Sequence, residues 1–165
     1  MKIPILHLPD GIHHFDQSIN SGSLNFSRAE VYPNPLNLEA EINKFGKNIR
    51  CKVNVKTVAH YNCDRCLEAF DRPLDFRFEL LFHLGKDTLE TDEEDVIHLT
   101  PETVEVDLGD SITENLLLEI PMKLVCNEEC KGMCPRCGVN LNRETCQCPE
   151  QTADPRWEKL RDLLT

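Results

Sequence analysis

Apolar and polar residues alternate with a period of two along three stretches of the chain, and each alternation predicts a strand. Leu36, Leu38, Ala40 and Ile42 fall on one side of the first, with Asn37, Glu39 and Glu41 opposite. Gly46 marks a turn. Cys51, Val53 and Val55 then share a face against Arg50, Lys52, Asn54 and Lys56. The third run sets Leu74, Phe76, Phe78, Leu80, Phe82 and Leu84 against Asp75, Arg77 and Glu79. An acidic face next to a basic one predicts charge pairing between neighbouring strands. The pattern reads as an antiparallel β-meander, or a partly closed barrel-like sheet, with one wet face.

Beyond the third strand the period changes. The acidic run from Asp87 to Asp95 has no apolar periodicity and predicts a loop. A short strand is expected around Thr103 to Val106. Ser111-Ile112-Thr113-Glu114 then reads as a capping box, followed by Ile112, Leu116, Leu117 and Ile120 at helical spacing and closed by Pro121. Asp154-Pro155 predicts the start of a second, short helix carrying Trp157, Leu160, Leu163 and Leu164. The expected fold class is α+β: a sheet with one packed amphipathic helix, and a C-terminal extension ending in a short helix. The expected domains are 1–125, β-rich, and 126–165, cysteine-rich.

The 165 residues allow a modest core and no large enzyme interior. The formal charge of −11 is uneven: residues 126–165 are nearly balanced, and the remainder carries almost the whole excess. Affinity for bare nucleic acid rests on phosphate contacts from a basic surface, so the balance points away from it and toward a basic protein partner. Neither a signal-peptide run at the start nor an apolar stretch of membrane-spanning length appears, which predicts a cytoplasmic protein without membrane contact.

Cysteine carries the chemistry. Eight of nine fall into four close pairs: Cys63 and Cys66, Cys126 and Cys130, Cys134 and Cys137, Cys146 and Cys148. In a reducing compartment such density favours metal over disulfides, and pairs at this spacing supply thiolates to tetrahedral zinc from single tight turns. Two structural zinc sites are expected. Cys134, Cys137, Cys146 and Cys148 lie close enough to close one locally, which leaves Cys63, Cys66, Cys126 and Cys130 for the other. Spacing also leaves open a crossed partition in which Cys63 and Cys66 join Cys134 and Cys137. Strand parity assigns Cys51 to the core.

Other functional readings are thinner. A Cys-x-x-Cys between strands lacks the helix context of a redox couple. His13 and His14 read as solvated loop residues. No nucleophile motif or phosphate-cradling glycine loop occurs, and a four-thiolate shell has no open position for a substrate, so neither catalysis nor a small-molecule substrate is expected.

These residues together resemble the YceD family, bacterial and plastid proteins named for accumulation of large-subunit ribosomal RNA. The resemblance is carried by Cys63-Asp-Arg-Cys-Leu-Glu-Ala-Phe70, Val106-Asp-Leu108, Glu114-Asn-Leu-Leu-Leu-Glu-Ile-Pro121, Cys130-Lys-Gly-Met-Cys-Pro-Arg-Cys-Gly-Val-Asn-Leu-Asn142, the following Cys-x-Cys and Asp154-Pro-Arg-Trp157. It implies a non-enzymatic role in ribosome biogenesis, promoting processing or stability of that RNA. The same resemblance implies that members differ in how many of the cysteines they keep. Combined with the charge, it leads to the expectation of a basic ribosomal protein or rRNA processing factor as the direct partner, with ribosomal RNA reached indirectly. A direct RNA-binding zinc module, with Lys131, Arg136, Arg143, Arg156 and Arg161 on one face, and a thiol redox protein are the alternatives.

Overall fold

The computed structural model describes residues 1–85 and 96–149. The acidic run and the predicted C-terminal helix with Trp157 lie outside the described residues. Seven strands and one α-helix are present among those described: β1 (Lys2–Pro4), β2 (Gly11–Ile19), β3 (Leu36–Phe45), β4 (Asn48–Asn62), β5 (Ala69–Leu84), β6 (Val96–Leu99), β7 (Glu105–Asp107) and α1 (Gly109–Leu118).

Strands β2 to β6 form one sheet in chain order, and β1 pairs with β7 in a second. Alternation in β4 is unbroken: Ile49, Cys51, Val53, Val55, Thr57, Ala59 and Tyr61 are all buried while their neighbours face outward. The apolar side of β5 is shared between the buried Phe76 and Phe82 and the partly buried Leu74, Phe78, Leu80 and Leu84, all packed on the same core. On the wet face the charges of adjacent strands meet, with Lys56 Nζ 2.8 Å from Glu39 and Arg50 Nε 2.7 Å from Glu79. Exposed pairs of this kind contribute little, roughly 0–1 kcal/mol. The fold rests on the opposite face.

Four expectations are corrected. The sheet is not wholly antiparallel, because β6 runs parallel to β5 with Leu81 opposite Val96; alternation records which face of a strand is buried and not the direction of its neighbour. No barrel closes, since β2 and β6 occupy opposite edges. His13 and His14 stand in β2, not in a loop, paired opposite Ile42 and Glu41. That strand escapes sequence reading because its apolar alternation is interrupted by half-buried His13 and exposed Gln17 between Phe15 and Ile19, and the hydrogen bonds of β3 decide it.

The fourth correction concerns α1, which begins before the proposed capping box. Ser111 lies inside the helix, and its carbonyl accepts from Asn115 Nδ2 at 2.8 Å. The first turn is held instead by Asp107, whose Oδ1 accepts from the Gly109 N–H at 2.9 Å, with that carboxyl kept below its usual range chiefly by this bond. Ile112 and Leu116 are buried, whereas Leu117 and Leu118 are exposed. Buried Tyr32 ties the helix to the chain before β3 by donating its hydroxyl to the Leu116 carbonyl at 2.8 Å. With Ile3, Ile5, Val106 and Leu108, the helix closes one end of the core.

Candidate metal centres

The residues between β4 and β5 form a tight turn whose backbone follows a pattern used twice in the chain. At the hairpin tip the Cys63 N–H donates to the Glu68 carbonyl at 2.9 Å, and the Leu67 N–H to the Cys63 carbonyl at 2.9 Å. In the second turn the Cys134 N–H donates to the Val139 carbonyl at 2.8 Å, and the Gly138 N–H to the Cys134 carbonyl at 2.9 Å. The residue after the second cysteine is left-handed in both, Leu67 at φ 59° and Gly138 at φ 72°. Glycine adopts that conformation freely, while leucine bears a cost of about 1–2 kcal/mol. The fold-back turns amides inside each loop toward the first sulfur.

Four sulfurs converge at each turn. Those of Cys63, Cys66, Cys126 and Cys130 all lie within 4.8 Å of one another, as do those of Cys134, Cys137, Cys146 and Cys148. Separations include 3.9 Å for Cys63 to Cys130, 3.7 Å for Cys66 to Cys126, 3.7 Å for Cys137 to Cys146 and 3.3 Å for Cys134 to Cys146. A disulfide needs about 2.05 Å, and all nine cysteines are free. Each set of four thiols is therefore able to surround one metal ion. Cys63 and Cys66 sit with Cys126 and Cys130, so the crossed partition is not the arrangement present. Cys51 stands apart in the main core.

The clusters differ in burial and in what polarises them. Cys63, Cys66 and Cys130 are buried with Phe70 and Val125 against them, whereas in the second cluster only Cys134 is buried. Burial pushes the Cys63 thiol up, but N–H groups of Cys126, Cys66 and Arg65 aimed at the sulfur outweigh it and bring the pKa to about 6. Cys134 is brought to about 6 by the amides of Cys137 and Arg136. In the same cluster the neighbouring sulfurs of Cys146 and Cys137, with burial, push Cys148 up to about 12. Each cluster thus holds one thiol well below the usual range, Cys63 or Cys134, and one well above it, Cys126 or Cys148, and a bound cation would favour the thiolate form of every ligand.

The hairpin tip is gripped from the far side by residues other than the cysteines. The Asp64 N–H donates to the Leu124 carbonyl at 2.7 Å, and the Leu124 N–H returns to Asp64 Oδ2 at 2.7 Å. Arg65 reaches the carbonyls of Glu128 at 3.2 Å and Cys130 at 2.9 Å, while its own carbonyl accepts from the Met133 N–H at 2.9 Å. Arg143, between the two pairs of the second cluster, meets Glu68 at 2.8 Å. Asn142 Nδ2 lies 3.3 Å from Cys130 Sγ, and this donor is the main cause holding the Cys130 thiol below its usual value. Polar residues inside and between close cysteine pairs were the available signal.

On the wet strand face the basic residues Lys56 and Arg50 are engaged in ion pairs. Arg136 donates to the Pro149 carbonyl at 3.0 Å. Among the described residues no helix is long and apolar enough to cross a membrane.

An open mixed sheet with one helix, whose hairpin tip completes a four-thiol cluster and touches a second, defines a small α+β protein with paired cysteine centres. The family model of the large ribosomal RNA subunit accumulation protein YceD matches residues 51–164, and the chain belongs to the YceD family. A chloroplastic YCED homolog 1 of Arabidopsis thaliana is 29% identical over 160 residues, covering 80% of this chain and 50% of that protein. An uncharacterized protein of Mycobacterium tuberculosis is 33% identical over 131 residues, covering 78% of this chain and 62% of its own length. The uncharacterized protein YlbN of Bacillus subtilis is 22% identical over 161 residues, covering 95% and 91%. The chain thus spans about half the length of the Arabidopsis relative. No solved structure matches it.

Proposed function

We propose that this protein is a non-enzymatic ribosome biogenesis factor that promotes accumulation, processing or stability of large-subunit ribosomal RNA, built around two structural zinc ions. Membership of the YceD family carries the first half; the two four-thiol clusters carry the second. Zinc bound to thiolate at about 2.3 Å requires sulfurs about 3.8 Å apart along each edge of its tetrahedron. Separations of 3.3 to 3.9 Å already approach that spacing. Cys63, Cys66, Cys126 and Cys130 would hold one ion, and Cys134, Cys137, Cys146 and Cys148 the other. Each ion would be fully enclosed by sulfur, so its contribution is to staple the chain segments together.

Charge and surface favour a protein as the direct partner. Four thiolates around each dication add about four negative charges to an already acidic chain, which disfavours phosphate contacts. Leu117, Leu118 and Met122 are exposed where α1 leads toward the first cluster, and Leu117 and Met122 share a hollow with Asp64 and Arg28. Exposed apolar anchors suit a protein partner, and the net charge of −11 makes a basic ribosomal protein or processing factor the fitting one. The cytoplasm, with its reduced thiol pool, is the compartment this chemistry fits.

Elemental analysis of freshly isolated protein is expected to return two zinc ions per chain; bound iron, or none of either, overturns the zinc assignment. Binding to purified large-subunit RNA fragments across a salt series is expected to be weak. Tight binding with a steep salt slope would establish direct RNA recognition instead.

A further inference from the structure

The geometry points to Asn142 as the positioning residue that links the two metal centres, so that filling the second cluster tightens the first. This inference rests on the zinc reading above.

Asn142 belongs by sequence to the second centre, between Cys137 and Cys146, yet its side chain serves the first. Its Oδ1 accepts from the Lys131 N–H at 2.8 Å. A backbone N–H can only donate, so that contact fixes the orientation of the amide and leaves Nδ2 as the group facing Cys130 Sγ at 3.3 Å. The Asn142 N–H and Nδ2 also converge on Asn140 Oδ1, both at 2.9 Å. Asn140 in turn is held against Met133 in an isolated β-bridge. The side chain is thus held to its own loop through Asn140 and to the first centre's segment through Lys131 and Cys130.

An N–H pointed at a metal-bound thiolate spreads its charge and orients it, and partners of this kind typically change metal affinity about 10- to 100-fold. The donor here is useful only while its loop is ordered. Few apolar residues lie in that loop, so an ion shared by Cys134, Cys137, Cys146 and Cys148 is what would order it. The loop also meets the surroundings of the first centre through the Leu141 N–H on the Gly132 carbonyl at 2.9 Å and through Arg143 on Glu68, whose Arg143 side chain is 71% exposed, but neither contact reaches a sulfur. Loading the second centre therefore delivers the Asn142 donor to the first.

The test uses the full chain with cadmium as the probe ion, observed by 113Cd NMR and by chelator competition. The wild-type protein is expected to show two sulfur-bound resonances. Asn142→Ala should shift the resonance of the Cys63 cluster, leave the other in place, and weaken the first site about 10-fold. Cys146→Ser with Cys148→Ser should remove the second resonance and weaken the first site by a similar factor, after which adding Asn142→Ala should change it less than about twofold. Asn142→Asp, which keeps the acceptor for Lys131 and loses the donor, should weaken the first site at least as much as alanine, with amide exchange of β3 to β5 unchanged. Two ions bound with a first site indifferent to these changes, or effects that multiply in the triple variant, would overturn the linkage while leaving the zinc reading intact. Absence of any bound ion would overturn both.

Discussion

Asp64 and Leu124 exchange hydrogen bonds in both directions, each at 2.7 Å, so a residue inside the Cys63 turn fixes the segment that delivers Cys126. The carboxylate is exposed, and the bond it accepts is charge-assisted. Asp64→Ala is expected to cost about 1–2 kcal/mol of stability and to weaken metal binding at the first cluster more than at the second. Asp64→Asn, which keeps an acceptor oxygen, should cost less than half of that. Denaturant unfolding and chelator competition on the two variants check the order.

Two glycines of the extension are left-handed for different reasons. A Cβ at Gly138 would meet nothing within 4 Å, whereas one at Gly132 would lie 3.0 Å from the Arg65 carbonyl oxygen. Gly138→Ala should therefore cost only the conformational term, about 1–2 kcal/mol. Gly132→Ala should cost more, because the hairpin tip must shift away from the Met133 amide. Equal destabilisation of the metal-loaded proteins would contradict the close approach at Gly132.

Burial, with a smaller contribution from Glu79, pushes the Cys51 thiol up to about 12. Its folded pKa lies above the unfolded value of about 8.5, so its contribution is complete below the unfolded pKa and is lost as pH rises between the two values. Stability should fall by about 1.4 kcal/mol per pH unit within that window from this group alone. Cys51→Val, which keeps an apolar side chain among Val53 and Val55, should flatten the loss. Unfolding curves of the two proteins between pH 8 and pH 11 make the comparison.

Metal removal should act along the hydrogen bonds of the hairpin tip. Structural zinc in small peptides contributes about 10–16 kcal/mol of apparent binding free energy, and the segment after Leu124 has little apolar burial to replace it. A chelator is expected to abolish amide protection over residues 122–149 and at Cys63 to Glu68, and to leave β3, β4 and the paired body of β5 protected. Uniform loss would mean that sheet and extension form one cooperative unit, against the division at residue 125.

Periodicity was enough to place β3, β4 and β5, because a sheet with one buried face forces alternation on each strand that crosses it. The eight paired cysteines were legible for a similar reason: two donors must leave a single turn, which constrains spacing. Strand β2 was not legible, since His13 and Gln17 break its apolar alternation and pairing with β3 is what makes it a strand. Nor was the start of α1, where Asp107 and not Ser111 holds the first turn. Which cysteines meet was underdetermined by spacing and was decided by the long β4–β5 hairpin, which carries Cys63 and Cys66 to the segment leaving α1. The contacts of Asp64, Arg65, Gly132 and Asn142 belong wholly to tertiary structure, because each serves a partner distant in the chain or in another cysteine pair, and a local pattern records only the needs of its own neighbours.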